Sequence, residues 1–126
     1  MPRPGSVIGW KLDREQREEL LRRFPPCYRD AIADHVTLQT NAEGHPLPDP
    51  VDAALIGHAD DGDSLEAMVV TIDGKTGRPD GSVFHITWSL DKAKGRQARE
   101  SNDLLKDREW RPVEPVRLKL QPARFP

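Results

Sequence analysis

Apolar residues in this chain recur at every second position over short runs, the spacing of strands with one face buried. Ser6 to Leu12 reads as a first strand, weakly alternating and interrupted by Gly9. A helix is expected next: Asp13 is a good N-cap, Gln16 lies three residues on as in a capping box, and Leu20, Leu21 and Phe24 form a narrow apolar stripe before Pro25-Pro26 ends it. Tyr28 to Ala33 leads into a strand carrying His35-Val36-Thr37-Leu38, and the proline-rich segment Asn41 to Pro50 reads as an exposed loop. Val51 to Ala59 and Ser64 to Asp73, the most apolar run, read as strands joined by a tight turn at Asp61-Gly62. A glycine-containing loop from Asp73 to Gly81 precedes the strand Val83 to Leu90. Beyond it come an expected mobile basic loop from Lys92 to Arg99, a short helix from Ser101 to Lys106 and a closing strand from Val116 to Phe125. The order predicts an α+β fold of mostly antiparallel strands with one longer and one short helix.

A length of 126 residues sets the expectation of a single domain over 1–126. Charged residues at 32% and aromatics at 6%, with twelve prolines and nine glycines, fit a small globular protein rich in turns. The strand-length apolar runs are enough to offset chain entropy, so disorder is not expected. No apolar run has membrane-spanning length and the start Met1-Pro2-Arg3-Pro4 has no secretory core, so the expectation is a cytoplasmic monomer without a membrane partner. A net charge of −2 gives no footprint for long duplex nucleic acid. Locally, Lys92, Lys94, Arg96 and Arg99 face the acidic stretch Asp60-Asp61-Gly62-Asp63 and suggest a basic patch after the last tetrad.

The candidate chemistry lies in a repeat. His35-Val36-Thr37-Leu38 and His85-Ile86-Thr87-Trp88 write the same pattern of His, aliphatic, Thr and apolar residue twice, fifty residues apart. In a strand, His and Thr of each tetrad share one face and the apolar pair takes the other. With four histidines and five threonines in the chain, chance rarely places two such matches. If the two polar faces meet, two imidazoles supply a neutral base and a charged acid near neutral pH, and two hydroxyls line the same cleft. Trp10 and Tyr28 are candidates to stack a base, Arg78 or Lys94 to hold an outer phosphate, and Ser101 with Asn102 to line the cleft. Trp10 and Trp88 read equally well as core residues.

The doubled tetrad resembles the signature of the two-histidine (2H) phosphoesterase superfamily. The run Gly9-Trp10-Lys11-Leu12 through Phe24-Pro25-Pro26, followed later by Phe84 to Leu90 and Glu100-Ser101-Asn102-Asp103-Leu104-Leu105, is similar to the RNA-repair branch that includes the cyclic phosphodiesterase domain of fungal tRNA ligases. This resemblance implies a bilobal fold around a central cleft. It also implies metal-independent hydrolysis of a 2′,3′-cyclic phosphate, on RNA ends or small nucleotides, to a 2′-monophosphate, with His35, Thr37, His85 and Thr87 as the catalytic residues. Two alternatives stay open: a phosphodiesterase acting on cyclic or 2′-5′ oligonucleotide messengers, and a non-catalytic module that binds RNA ends.

Other motifs do not develop. No His or Cys pair has zinc-ligand spacing and Cys27 is the single cysteine, so neither a disulfide, a reactive thiol, a metal nor any cofactor is expected. Asp60 to Asp63 lacks the alternating ligands and closing Glu of a calcium loop. Gly74-Lys75-Thr76 lacks the context of a nucleotide-triphosphate loop.

Overall fold

The computed structural model of the chain describes residues 6–107 and 109–125. It is an α+β structure with two antiparallel sheets and two helices. Strand β1 (Val7–Leu12) leads into helix α1 (Arg14–Arg23), then the two-residue strand β2 (Asp30–Ala31) and the strand β3 (His35–Gln39). Strands β4 (Ala53–Asp60), β5 (Leu65–Ile72) and β6 (His85–Leu90) follow, then helix α2 (Ser101–Asp107) and strands β7 (Arg111–Leu118) and β8 (Leu120–Phe125). One sheet has the order β3-β1-β8 and the other β2-β6-β5-β4-β7. No helix among the described residues is long and apolar enough to cross a membrane.

Helix α1 begins where the residue pattern places it. The Asp13 carboxylate accepts the Gln16 backbone N–H at 3.0 Å, and the Phe24 N–H closes the last turn on the Leu20 carbonyl at 2.7 Å before the two prolines. The Gln16 side chain does not close the expected capping box but reaches the C-terminal segment. Its Nε2 donates to the Arg117 carbonyl and its Oε1 accepts the Lys119 N–H, both at 2.7 Å, while the Asp13 N–H donates to the Lys119 carbonyl at 2.9 Å. These bonds break the expected closing strand from Val116 to Phe125 at Lys119. The residues before it pair with β4 and those after it with β1, so the single expected strand is two strands in different sheets. Strand β7 also begins earlier than expected and includes Pro112 and Pro115, which an edge strand tolerates because no outer neighbour needs their missing N–H.

The two sheets share one apolar core. Trp10 and Leu12 from β1, Val36 from β3, Met68 and Val70 from β5, Ile86 and Trp88 from β6, and Leu20 from α1 are all buried in it. A second cluster packs Ala67, Val69 and Leu90 against Leu104 and Leu105 of α2. Alternation along β3 and β6 turns His35, Thr37, His85 and Thr87 away from the first core, as the period-two pattern predicts.

The chain crosses between the sheets at a single residue. Ile32 and Ala33 donate to the carbonyls of Trp88 and Thr87 on β6 at 2.8 and 2.9 Å, whereas the next carbonyl, that of Asp34, accepts the Leu12 N–H of β1 at 2.9 Å. Ala33 makes the change with φ +41°, a left-handed conformation uncommon for a residue with a side chain, and it is fully buried. This crossing delivers His35 beside β6. On the far side of β3, Gly9 allows β1 to approach so closely that an added Cβ would lie 2.1 Å from the Val36 carbonyl oxygen. Gly9→Ala is therefore expected to lower stability by about 1–3 kcal/mol, the usual cost of overpacking, in urea unfolding followed by circular dichroism. An unchanged midpoint would show that β1 and β3 are free to separate.

Candidate active site

Both polar faces line one cleft of about 340 Å³. His35 and Thr37 enter it from β3, His85 and Thr87 from β6, Arg78 from the loop before β6, and Arg99 and Asn102 from the segment leading into α2. Val7, Ile32 and Phe125 supply an apolar wall. The Phe125 ring stacks on His35 with centroids 4.2 Å apart and planes 26° apart, which restricts how the imidazole can turn.

Each imidazole is oriented through Nδ1, but by a different partner. His85 Nδ1 lies 2.8 Å from the Val83 carbonyl oxygen. A carbonyl only accepts, so the proton is on Nδ1 and Nε2 carries the lone pair. Burial pushes the His85 pKa below its usual 6.5, and the positive charges of Arg78 and His35 add to that shift against the opposing pull of the Val83 carbonyl. His85 is thus held neutral. His35 Nδ1 instead meets the Asp34 carboxylate at 3.0 Å, and the ring is about 29% exposed. Burial alone would raise the Asp34 pKa, but the His35 hydrogen bond and charge, with Arg14 at 3.1 Å, outweigh it and the net shift is downward. An ionised Asp34 gives His35 a directly bonded counter-charge, whereas Asp80 acts on His85 only as a lesser, opposing charge.

The threonines are not equivalent. Thr37 makes no side-chain hydrogen bond among the described residues, so its hydroxyl is free to meet a ligand. Thr87 Oγ1 donates to the Ala98 carbonyl at 3.1 Å and lies 2.8 Å from Ser101 Oγ. The Thr87 hydroxyl therefore also anchors the segment that closes one side of the cleft. Arg78 has only 7% of its side chain exposed, binds Asp80 through Nε and Nη2, and reaches the Asn102 Oδ1 at 3.3 Å. That guanidinium holds the Asp80 carboxyl well below the usual range. Asn102 in turn donates to the Arg99 carbonyl at 3.0 Å, so Arg78 and Asn102 are positioned as one unit.

Four of the expected contacts lie elsewhere. Trp10 is a core residue, 2% exposed, with Nε1 bonded to the Asp49 carbonyl at 2.9 Å and its ring edge-on to Phe84. Tyr28 hydrogen-bonds Asp60 outside the cleft, and burial followed by that carboxylate raises its pKa. Lys94 pairs with Asp63 at 3.0 Å on the exposed hairpin end. Ser101 is fully buried behind Thr87 and reaches the cleft only through it. The expected mobile basic loop is two 3₁₀ turns, Lys92–Lys94 and Ala98–Glu100, tied down by Arg96, which bonds Asp61 and Glu100 at 2.6 Å and Ser64 at 2.7 Å. The acidic stretch thus pairs with Lys94 and Arg96, two of the four cations of the expected basic patch. Of its cations only Arg99 lines the cleft, and nothing in the local pattern distinguished it from its neighbours.

Cys27 does not lie in the cleft. The Glu66 carboxylate against it, with burial and Asp60 in support, pushes the thiol up to about 12, so it stays protonated at neutral pH.

The setting of His85 makes two linked outcomes measurable. Its folded-state pKa lies below the unfolded one, so the unfolded chain binds the proton first as pH falls. The stability associated with this ring is complete above 6.5 and declines as pH drops through the unfolded value toward the folded one. A histidine NMR titration of the full chain is expected to give a His85 midpoint below 6.5. A midpoint at or above that value would contradict the desolvated placement of the ring. In comparison with known proteins, the chain matches no protein-family model, no curated protein and no solved structure.

Proposed function

We propose that this protein is a phosphodiesterase that opens 2′,3′-cyclic phosphates, on RNA ends or small nucleotides, by acid-base catalysis between His85 and His35. The observation that carries this reading is the convergence of two histidines with opposite electrostatic settings on one cleft. We read the two-sheet arrangement as a bilobal 2H architecture, in which a His-x-Thr strand stands on each side of a central cleft.

The roles follow from the surroundings of each ring. Neutral His85, with its lone pair on Nε2, takes a proton from the attacking water as the new phosphorus–oxygen bond forms. His35, which faces the Asp34 carboxylate, is assigned the acid role and in its protonated form gives a proton to the departing ribose oxygen as the ring phosphorus–oxygen bond breaks. One water is consumed and a phosphate monoester results, the 2′-phosphate when the 3′-oxygen leaves. Proton exchange with solvent then resets the pair. Thr37 donates to a non-bridging oxygen, where charge grows in the transition state, and Arg78 supplies a fixed positive charge from a poorly solvated position.

Hydrolysis is tested with a panel of 2′,3′-cyclic nucleotides, RNA bearing a cyclic end, 2′-5′ oligoadenylate and cyclic di- and trinucleotides, all with EDTA present. Turnover of the first two classes is expected. Turnover confined to the others would replace RNA ends by oligonucleotide messengers, and binding without product would favour a recognition module. Within the enzyme, His35→Ala and His85→Ala are each expected to reduce kcat by about 10²–10⁴-fold while the folded state persists. Thr37→Ala should cost about 10²–10³-fold, the range for a lost oxyanion donor. Unimpaired turnover by either histidine variant would overturn the acid-base assignment.

A further inference from the structure

A second constellation lies apart from the cleft and shares none of its residues. Cys27 from the turn after α1, His58 and Asp60 from β4, and Glu66 from β5 bring a thiol sulfur, a ring nitrogen and two carboxylate oxygens within 4.8 Å of one another. The sheet register places them there. Asp60 and Glu66 are direct cross-strand partners near the β4–β5 turn, and His58 lies two residues before Asp60 on the same strand. The Cys27 backbone N–H donates to Glu66 Oε2 at 3.2 Å, which draws the turn after α1 onto the hairpin.

The two carboxylates of this cluster are partnered by hydrogen-bond donors and a histidine and not by a fixed cation. The Glu66 side chain is only 1% exposed, and an ionised carboxylate taken out of water must be paired. Its nearest cationic candidate is the His58 imidazole, with Nε2 at 3.6 Å from Glu66 Oε2. Among the described residues, no Lys or Arg forms an ion pair with Asp60 or Glu66, although Asp61 and Asp63 close by bind Arg96 and Lys94. Arg96 and Lys94 are thus engaged beside the cluster and not in it. A sulfur, a nitrogen and two oxygens form a donor set suited to zinc, and four protein donors complete a tetrahedral shell.

We infer that Cys27, His58, Asp60 and Glu66 form a structural binding site for a zinc-class divalent metal ion. A tetrahedral zinc ion holds its donors roughly 3.4–3.8 Å apart, so closure requires a contraction of about 1 Å. Cys27 is exposed and lies outside any strand or helix, so the movement falls on the least constrained member. Binding displaces the thiol proton to solvent and forms the metal–sulfur bond. The ion would staple the turn after α1 to the β4–β5 hairpin. Linear spacing alone does not bring Cys27 to a ligand partner, because the donors are adjacent only in three dimensions.

The test uses the full chain after metal removal. Cobalt(II) is expected to bind in a 1:1 ratio and give thiolate-to-cobalt charge-transfer absorption, and zinc(II) should displace it and raise Tm. Cys27→Ser should abolish that absorption, and His58→Ala should weaken cobalt binding by at least about tenfold. His85→Ala should leave both signals intact, which separates this site from the cleft histidines. Because Cys27 is the single cysteine, alkylation gives an independent readout: zinc should protect the thiol in the wild type and protect it far less in His58→Ala. Failure of the wild type to bind, or cobalt binding without the thiolate band, would overturn the assignment whatever the activity of the cleft.

Discussion

The candidate site depends on the crossing at Ala33. Up to that residue the chain donates hydrogen bonds to β6, and from the next carbonyl onward it bonds to β1. The chain passes from one sheet to the other in one peptide step, and His35 begins two residues beyond it. The left-handed backbone at Ala33 is a local cost, held in place by full burial and by ladder bonds on both sides. The close approach at Gly9 and the clamp of Gln16 on the joint at Lys119 hold β1 and β8 against the same core. A polar cleft thus rests on an apolar layer that carries Val36, Ile86 and Trp88, the intervening residues of the two tetrads.

Two copies of one motif acquire different properties from their surroundings. His85 is desolvated, oriented by a carbonyl and subject to the nearby guanidinium of Arg78, all consistent with a neutral ring. His35 is more exposed and opposite a carboxylate, an environment that tolerates positive charge. Thr37 makes no side-chain hydrogen bond among the described residues, whereas Thr87 ties the cleft to Ala98 and to Ser101 at the start of α2. The motif states which groups are present, and the second layer of contacts sets what each can do.

This division also explains which features were legible in the sequence. The tetrads, the start of α1 and strands β4 to β6 are encoded by local periodicity and capping, so the sequence pattern places them within a few residues of their structural limits. The break at Lys119 is set by bonds to Gln16 more than a hundred positions earlier in the chain, which no local window contains. Trp10 is equally compatible with a core and with a stacking platform until Phe84 and Asp49 are seen around it. Lys94 and Arg99 belong to one basic run, yet of that run only Arg99 lines the cleft, while the acidic turn takes up Lys94 and Arg96. The donors around Glu66 come from three separate segments, and they meet through strand register and the Cys27 backbone bond to Glu66.

The most direct measurement of the central claim is the pH dependence of kcat/KM for a 2′,3′-cyclic nucleotide, in the wild type and in the His35→Ala and His85→Ala variants. Proton transfer by two imidazoles predicts a bell-shaped profile across about pH 5 to 8, belonging to the pair as a unit, with the bell lost when either ring is removed. A flat profile, or a bell that survives both replacements, would contradict the account.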